Sequence, residues 1–284
     1  MTTTSNIQVA KKQTIATASN DDKKLEKVHF STLIKSESVQ KALVGTLGDA
    51  MHAKTFTSSL ISAVSTNPQL SECNGMTIIS AALLGESLKL SPSPQLGQYY
   101  LVPFRDNKAG IVKATFQIGW KGYYQLAMRS GQYKKLNVVA IKEGELKSYN
   151  PITEDIDLDP IMNPLEREHA KTIGYYGYFE LINGFEKAMY WSKEKMEMHA
   201  EKYSKGYAAH KGYTFWEKDF DDMAFKTMYR QLIGKYGVMS IDMQKAFAND
   251  MTVQPDITNT GDDVEPAEFF DVNETTGEVK VGAE

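Results

Sequence analysis

The apolar positions Val39, Leu43, Val44, Leu47 and Met51, then Ile78, Ile79, Ala81, Ala82 and Leu83, recur close to helical spacing, which predicts two or three helices within residues 30–89. Asn67-Pro68 separates them. Ser91-Pro92-Ser93-Pro94 ends the last, because proline cannot extend a helix and biases the residue before it towards extended backbone. The texture then changes: residues 98–104 and 111–118 flank the polar turn Asp106-Asn-Lys-Ala-Gly110 and read as a β-hairpin closed by Gly119. Helical spacing returns at Tyr123, Tyr124, Ala127 and Met128 within residues 120–130, with Gly131 as the expected stop, and residues 133–141 are strand-like. The order is β-β-α-β.

A second hairpin is expected at 173–182 and 185–191, where Asn183-Gly184 supplies the positive φ angles of a tight type I′ turn. Ser192 is the expected start of a helix reaching about Tyr203. Residues 154–168, acidic and with three prolines nearby, are expected to form a surface loop. After a Lys/Gly/Tyr-rich connector, residues 219–236 place Phe220, Met223, Ala224, Thr227, Met228, Leu232 and Ile233 at core-like helical spacing. The ends lack such patterning. The division expected is a disordered arm at 1–28, one domain at 29–250 and an acidic disordered tail at 251–284. No repeat of solenoid period is visible.

At 284 residues with 42% hydrophobic content the chain can bury a real core. The single cysteine, Cys73, excludes an intramolecular disulfide, and the start of the chain lacks a signal peptide's apolar run, so a cytoplasmic location is expected. No stretch approaches the roughly 20 consecutive apolar residues of a membrane-spanning helix. The net charge of −4 conceals a strong segregation. Residues 251–284 hold nine acids and one base, for −8, which leaves +4 elsewhere. Residues 99–142 hold eight bases and one acid, for +7, together with eight aromatic side chains.

Single-stranded nucleic acid needs cations that follow phosphates and flat side chains that meet bases, and residues 99–142 offer both. Lys121, Gln125 and Arg129 fall at i, i+4 and i+8, a polar stripe along one helix, while Tyr100, Phe116 and Tyr124 are the expected core members. Further basic and aromatic residues follow between Trp191 and Lys218, with acids interleaved, and Lys226 and Arg230 make an i, i+4 pair. Other chemistry finds little footing. There is no Gly-Lys-Ser/Thr phosphate loop for ATP. Asp155, Asp157 and Asp159 mimic a calcium loop, but Pro160 stands where that loop requires glycine. The five histidines lack zinc spacing, and Cys73 has no visible base. A Mg²⁺-dependent DNA nuclease using those three aspartates, and a passive single-strand coat, remain the alternatives.

Gln117-Ile-Gly-Trp-Lys-Gly-Tyr-Tyr-Gln-Leu-Ala-Met-Arg-Ser-Gly131 resembles the signature of the RecT family of phage and prophage single-strand annealing proteins. The similarity extends through Tyr100-Leu-Val-Pro-Phe104, the hairpin of residues 174–191 and Asp222-Met-Ala-Phe-Lys-Thr-Met-Tyr-Arg-Gln-Leu-Ile233, covering roughly residues 30–250. The resemblance implies an α+β fold, a small mixed β-sheet core wrapped by helices. It implies a homo-oligomer, filament or ring, that coats single-stranded DNA left by a partner exonuclease and pairs it with its complement, without ATP, cofactor or catalytic residue. A host single-strand binding protein is a further implied partner, and the acidic tail is the region associated with partner contacts. The residues expected at phosphates are Arg105, Lys108, Lys113, Lys121, Arg129, Lys193, Lys205, Lys211, Lys226 and Arg230. Those expected at bases are Trp120, Trp191 and Phe215. The helix expected across residues 39–51 is a candidate contact between protomers.

Overall fold

The computed structural model describes residues 29–106, 109–212, 214–252 and 254. The arm expected at 1–28, Lys108 and nearly all of the expected tail therefore lie outside the described residues. Four helices come first: α1 (Phe30–Ile34), α2 (Glu37–Leu47), α3 (Ala50–Thr66) and α4 (Gly75–Ser87), with a 3₁₀ turn at Pro68–Glu72. The single helix expected across 39–51 is in fact two. Gly48 (φ 77°) turns the chain out of α2, and the Asp49 carboxylate restarts it by accepting the His52 N–H at 2.7 Å. Helix α4 is apolar around most of its circumference and accordingly buried on nearly every side.

Strands β1 (Tyr99–Asp106) and β2 (Ile111–Ile118) form the expected antiparallel hairpin, with Tyr99 opposite Ile118, and α4 packs against it. Helix α5 (Trp120–Arg129) follows Gly119, and Gly131 (φ 67°) ends it. Next come β3 (Tyr133–Lys142), β4 (Leu146–Tyr149), β5 (Ile156–Leu158) and the short helix α6 (Pro164–His169). The stretch expected to be a loop thus holds a strand and a helical turn. Strand β6 (Thr172–Leu181) pairs with β3 on one side and with β7 (Glu186–Ser192) on the other. The strands lie in three small antiparallel sheets, so the β-β-α-β order is divided between two of them. The turn at Asn183-Gly184 also differs from expectation. Only Gly184 is left-handed (φ 85°); its N–H bonds the Leu181 carbonyl at 3.0 Å, and the Leu181 N–H bonds the Phe185 carbonyl at 2.8 Å. That is a three-residue loop with a glycine bulge rather than a type I′ turn.

Helix α7 (Lys193–Tyr203) begins where Ser192 accepts the Lys195 N–H. Two short helices, α8 (Lys205–Ala208) and α9 (Phe215–Lys218), fold the connector, and α10 (Phe220–Tyr236) and α11 (Ile241–Asn249) complete the order. Along β6 the side chains of Tyr175, Phe179 and Leu181 are buried, in register with period two, and α10 crosses this face. Its approach is close at Gly177, where an added Cβ would meet Leu232 at 3.2 Å and Met228 at 3.6 Å. The core runs continuously from the opening helices through the first hairpin and α5 to α10. No helix among the described residues is long and apolar enough to cross a membrane.

Candidate nucleic-acid interface

The glycines of the Gly119-Trp-Lys-Gly122 segment seat the start of α5. A Cβ at Gly119 would collide with the Gly97 carbonyl and one at Gly122 with the Gln98 carbonyl, so the helix lies directly on the chain leading into β1. Trp120 is held from the other side by α10. Its indole stacks on Tyr229, with centroids 5.9 Å apart and planes 2° apart, and its N–H donates to the Asp222 carboxylate at 3.0 Å. Burial raises the Asp222 carboxyl, and the indole hydrogen bond partly offsets this. Lys121 projects into solvent with its ammonium 5.5 Å from the Trp120 ring centroid.

Behind α5 lies a buried carboxylate that joins four elements of the chain. One Asp250 oxygen accepts the Ile118 N–H (3.0 Å) and the Lys226 ammonium (3.3 Å). The other accepts the Tyr123 hydroxyl (3.1 Å) and the Arg230 guanidinium (2.8 Å). Arg230 also donates to the Tyr123 oxygen at 2.9 Å. Burial pulls the Lys226 ammonium below its ordinary pKa, with Asp250 opposing it. Burial also acts against Arg230, but Tyr123 and Asp250 outweigh it and hold the guanidinium above its usual value. The Tyr123 hydroxyl is raised far up, first by burial and then by Asp250. The next residues extend this fastening: the Met251 N–H bonds the Phe116 carbonyl, and the Phe116 N–H bonds the Thr252 carbonyl, on the edge of β2.

Between α5, α9 and α10 opens a cleft of about 120 Å³, whose lining includes Tyr100, Trp120, Phe215, Asp219, Asp222 and Lys226. Phe215 is 39% exposed and lies 6.4 Å from Tyr100, centroid to centroid. The structure therefore gathers Trp120, Lys121, Phe215 and Lys226 into one region. Tyr100 is half-buried and Tyr124 exposed, so of the three aromatics expected in the core only Phe116 is fully enclosed.

The remaining expected residues are spread out. Arg105 is exposed on β1, and Lys113 pairs with Asp106 at 2.8 Å across the same hairpin. Arg129 caps the end of α4, donating to the Leu88 and Lys89 carbonyls at 2.5 and 3.3 Å. Lys193 sits 5.4 Å from the Phe220 ring centroid, while Lys205 and Lys211 are exposed on the connector. Trp191 is buried, with the Lys195 ammonium 4.5 Å from its ring centroid and the His199 ring at 5.4 Å. Sequence reasoning passed over Asp222, Tyr229 and Asp250. The first two lie inside the quoted Asp222–Ile233 motif, which was the available signal.

Asp159 pairs with Lys147 at 2.9 Å, and among the described residues no three His, Cys, Asp or Glu side chains are placed to share a metal ion. Burial, reinforced by Glu72, pushes the Cys73 thiol up to about 12, so it carries little thiolate at neutral pH.

A family model described as "RecT family" matches residues 54–265. The chain is 40% identical over 235 residues to the uncharacterised protein YqaK of Bacillus subtilis (strain 168), which covers 82% of this chain and 76% of that protein. It is 29% identical over 230 residues to Protein RecT of Escherichia coli (strain K12), covering 79% and 82% respectively.

Proposed function

The chain belongs to the RecT family, and on that premise we propose that it binds single-stranded DNA and anneals complementary strands without ATP, as a homo-oligomer. The family implies single-strand annealing in recombination. The observation that carries the reading is the match over residues 54–265, which takes in α5, α10 and the carboxylate that joins them.

The annealing step is electrostatic and geometric. Two DNA strands repel through their phosphates, and a protein that neutralises both lowers that repulsion while leaving base edges free to test pairing. Lys121, Arg105, Lys205 and Lys211 are exposed cations able to follow a backbone, with Phe215 and the partly exposed Trp120 beside Lys121 and the cleft as flat surfaces for bases. Lys113, paired with Asp106 at 2.8 Å, adds no net charge to the first hairpin. Lys226 and Arg230 act from behind: with Asp250 they fix α5 against α10, and the three groups together leave one positive charge under the exposed face. The reading assigns no catalytic residue, metal or cofactor. It places the protein in the cytoplasm, downstream of an exonuclease that exposes single strands.

Two complementary oligonucleotides, one carrying a fluorophore and the other a quencher, test it directly. Pairing in the presence of the protein and without any nucleoside triphosphate should outpace spontaneous pairing, and the gain should fall as salt rises. Slower pairing would identify a passive coat. Shortening of the labelled strand in Mg²⁺ would identify a nuclease, and either result removes the annealing reading.

A further inference from the structure

The cleft between α5, α9 and α10 differs in charge from the cations around it. Tyr100, Trp120, Phe215 and Met223 give it flat, apolar walls. Its volume of about 120 Å³ holds roughly eight water-sized atoms at ~10–15 Å³ each, which is the size of one pyrimidine base. Two carboxylates open into it. Asp222 gives one oxygen to the Trp120 indole at 3.0 Å, and its Oδ2 has no hydrogen bond among the described residues. Asp219 accepts the Asp222 N–H at 3.4 Å through one oxygen and is exposed. Burial raises the Tyr100 hydroxyl, and Asp222 and then Asp219 raise it further, as expected of three groups around one space. Lys226 also lines the cleft, but its charge is answered by Asp250 at 3.3 Å.

That balance selects the ligand. Two carboxylates beside a neutralised lysine repel a phosphate, so a DNA backbone is held at the rim, where Lys121 stands exposed 5.5 Å from the Trp120 ring centroid. What enters the cleft must be flat, apolar on its faces and able to donate N–H groups from its edge. Within a single strand only a base meets all three conditions. Bases differ at that edge. Cytosine presents an amino group, N4, which a carboxylate accepts, whereas thymine and uracil present the O4 carbonyl there, which a carboxylate opposes. Gln117, also in the lining, carries an amide that both donates and accepts, so it favours neither kind of base.

We propose that the cleft takes one unpaired base of a bound single strand, and that the free Asp222 oxygen favours a base with an exocyclic amino group, cytosine over uracil or thymine. This rests on the single-strand binding of the proposed function and adds a discrimination to it. The amino group belongs to the base's pairing edge. A base held by Asp222 is therefore one not yet paired, and a complement that pairs with it draws it out of the cleft.

Oligo-dC and oligo-dU of equal length share backbone and ring size and differ only on the edge that would meet Asp222. Measured by anisotropy at neutral pH and one salt concentration, the full chain should bind oligo-dC about two- to tenfold more tightly. Asp222→Asn keeps an oxygen for the Trp120 indole but can turn an amide N–H2 towards the cleft, so in this variant the preference should disappear, with a thermal melt verifying its fold. Equal affinity of the unaltered protein for the two strands, or a preference that survives Asp222→Asn unchanged, overturns the proposal. Failure of the unaltered protein to bind either strand would count against the annealing reading instead, and is read from the same titrations.

Discussion

At the scale of single residues, two buried carboxylates organise the molecule. Asp250 accepts from two cations, a hydroxyl and a backbone N–H, and its removal leaves Lys226 buried without its partner. Breaking a buried pair on one side costs about 3–5 kcal/mol. Asp250→Ala should therefore lower urea stability by that order, and adding Lys226→Met should restore part of the loss. Additive effects would show that the pair is not coupled. Glu145 permits a test by pH. Burial alone would raise its carboxyl, but the Arg167 hydrogen bond and the Lys142 and Ile161 N–H groups outweigh burial and hold it below the ordinary 4.5. A folded pKa below the unfolded one stabilises above the unfolded value, and that stability is lost as pH falls through the folded one. Wild type should thus exceed Glu145→Gln by about 1–3 kcal/mol at pH 7, the gap closing as the pH drops below about 4.5. A gap independent of pH would assign the effect to shape rather than charge.

At the scale of elements, α5 separates two roles that its sequence presents as one stripe. Lys121 and Arg129 both lie on the polar face, but Lys121 is in solvent while Arg129 holds the Leu88 and Lys89 carbonyls just beyond α4, where a cation also meets the helix's negative end. Lys121→Ala should reduce the slope of log affinity against log salt by roughly one and leave the melting curve in place. Arg129→Ala should cost about 1 kcal/mol of stability. Exchange of these two outcomes would reverse the assignment. The end of α5 and the start of α7 were legible because Gly131 and Ser192 are local signals whose meaning does not depend on the rest of the fold, and α10 because its apolar residues keep helical spacing over 17 residues. β5 and α6 were not, since a three-residue strand and a six-residue helix among prolines have too few positions to show a period. The division of the strands into separate sheets was hidden for another reason: pairing depends on which edges meet. The site was legible to the same extent. Its cations and Trp120 stand in quotable motifs, whereas the Asp250 contacts reach back 127 and 132 residues to Tyr123 and Ile118, and only closure of the chain reveals them.

At the scale of the whole molecule, charge and attachment meet just beyond α11. The chain carries −4, and the nine acids and one base that follow Asp250 contribute −8, so the remainder is +4. Those acids start at Asp256, whereas the backbone is bonded to β2 through Met251 and Thr252. In sequence the negative segment follows directly on residues bonded to the edge of β2, the strand that leads into α5. A like-charged segment anchored there opposes the approach of phosphate, and this opposition is screened as the Debye length shrinks from about 10 Å at 0.1 M salt to about 3 Å at 1 M. Deleting residues 256–284 keeps Asp250 and the bridge to β2, so folding should be unaffected. Affinity for a labelled single-stranded oligonucleotide, followed by anisotropy, should rise at low salt and converge on the full-length value at high salt. Equal affinity at every salt concentration would show that the segment does not act on DNA. A cut placed before Asp250 has a different cause and a different signature, because it also removes the carboxylate that seats Lys226 and Arg230. That shorter chain should lose stability at all salt concentrations, and comparing the two cuts separates the field of the tail from the fastening at its root.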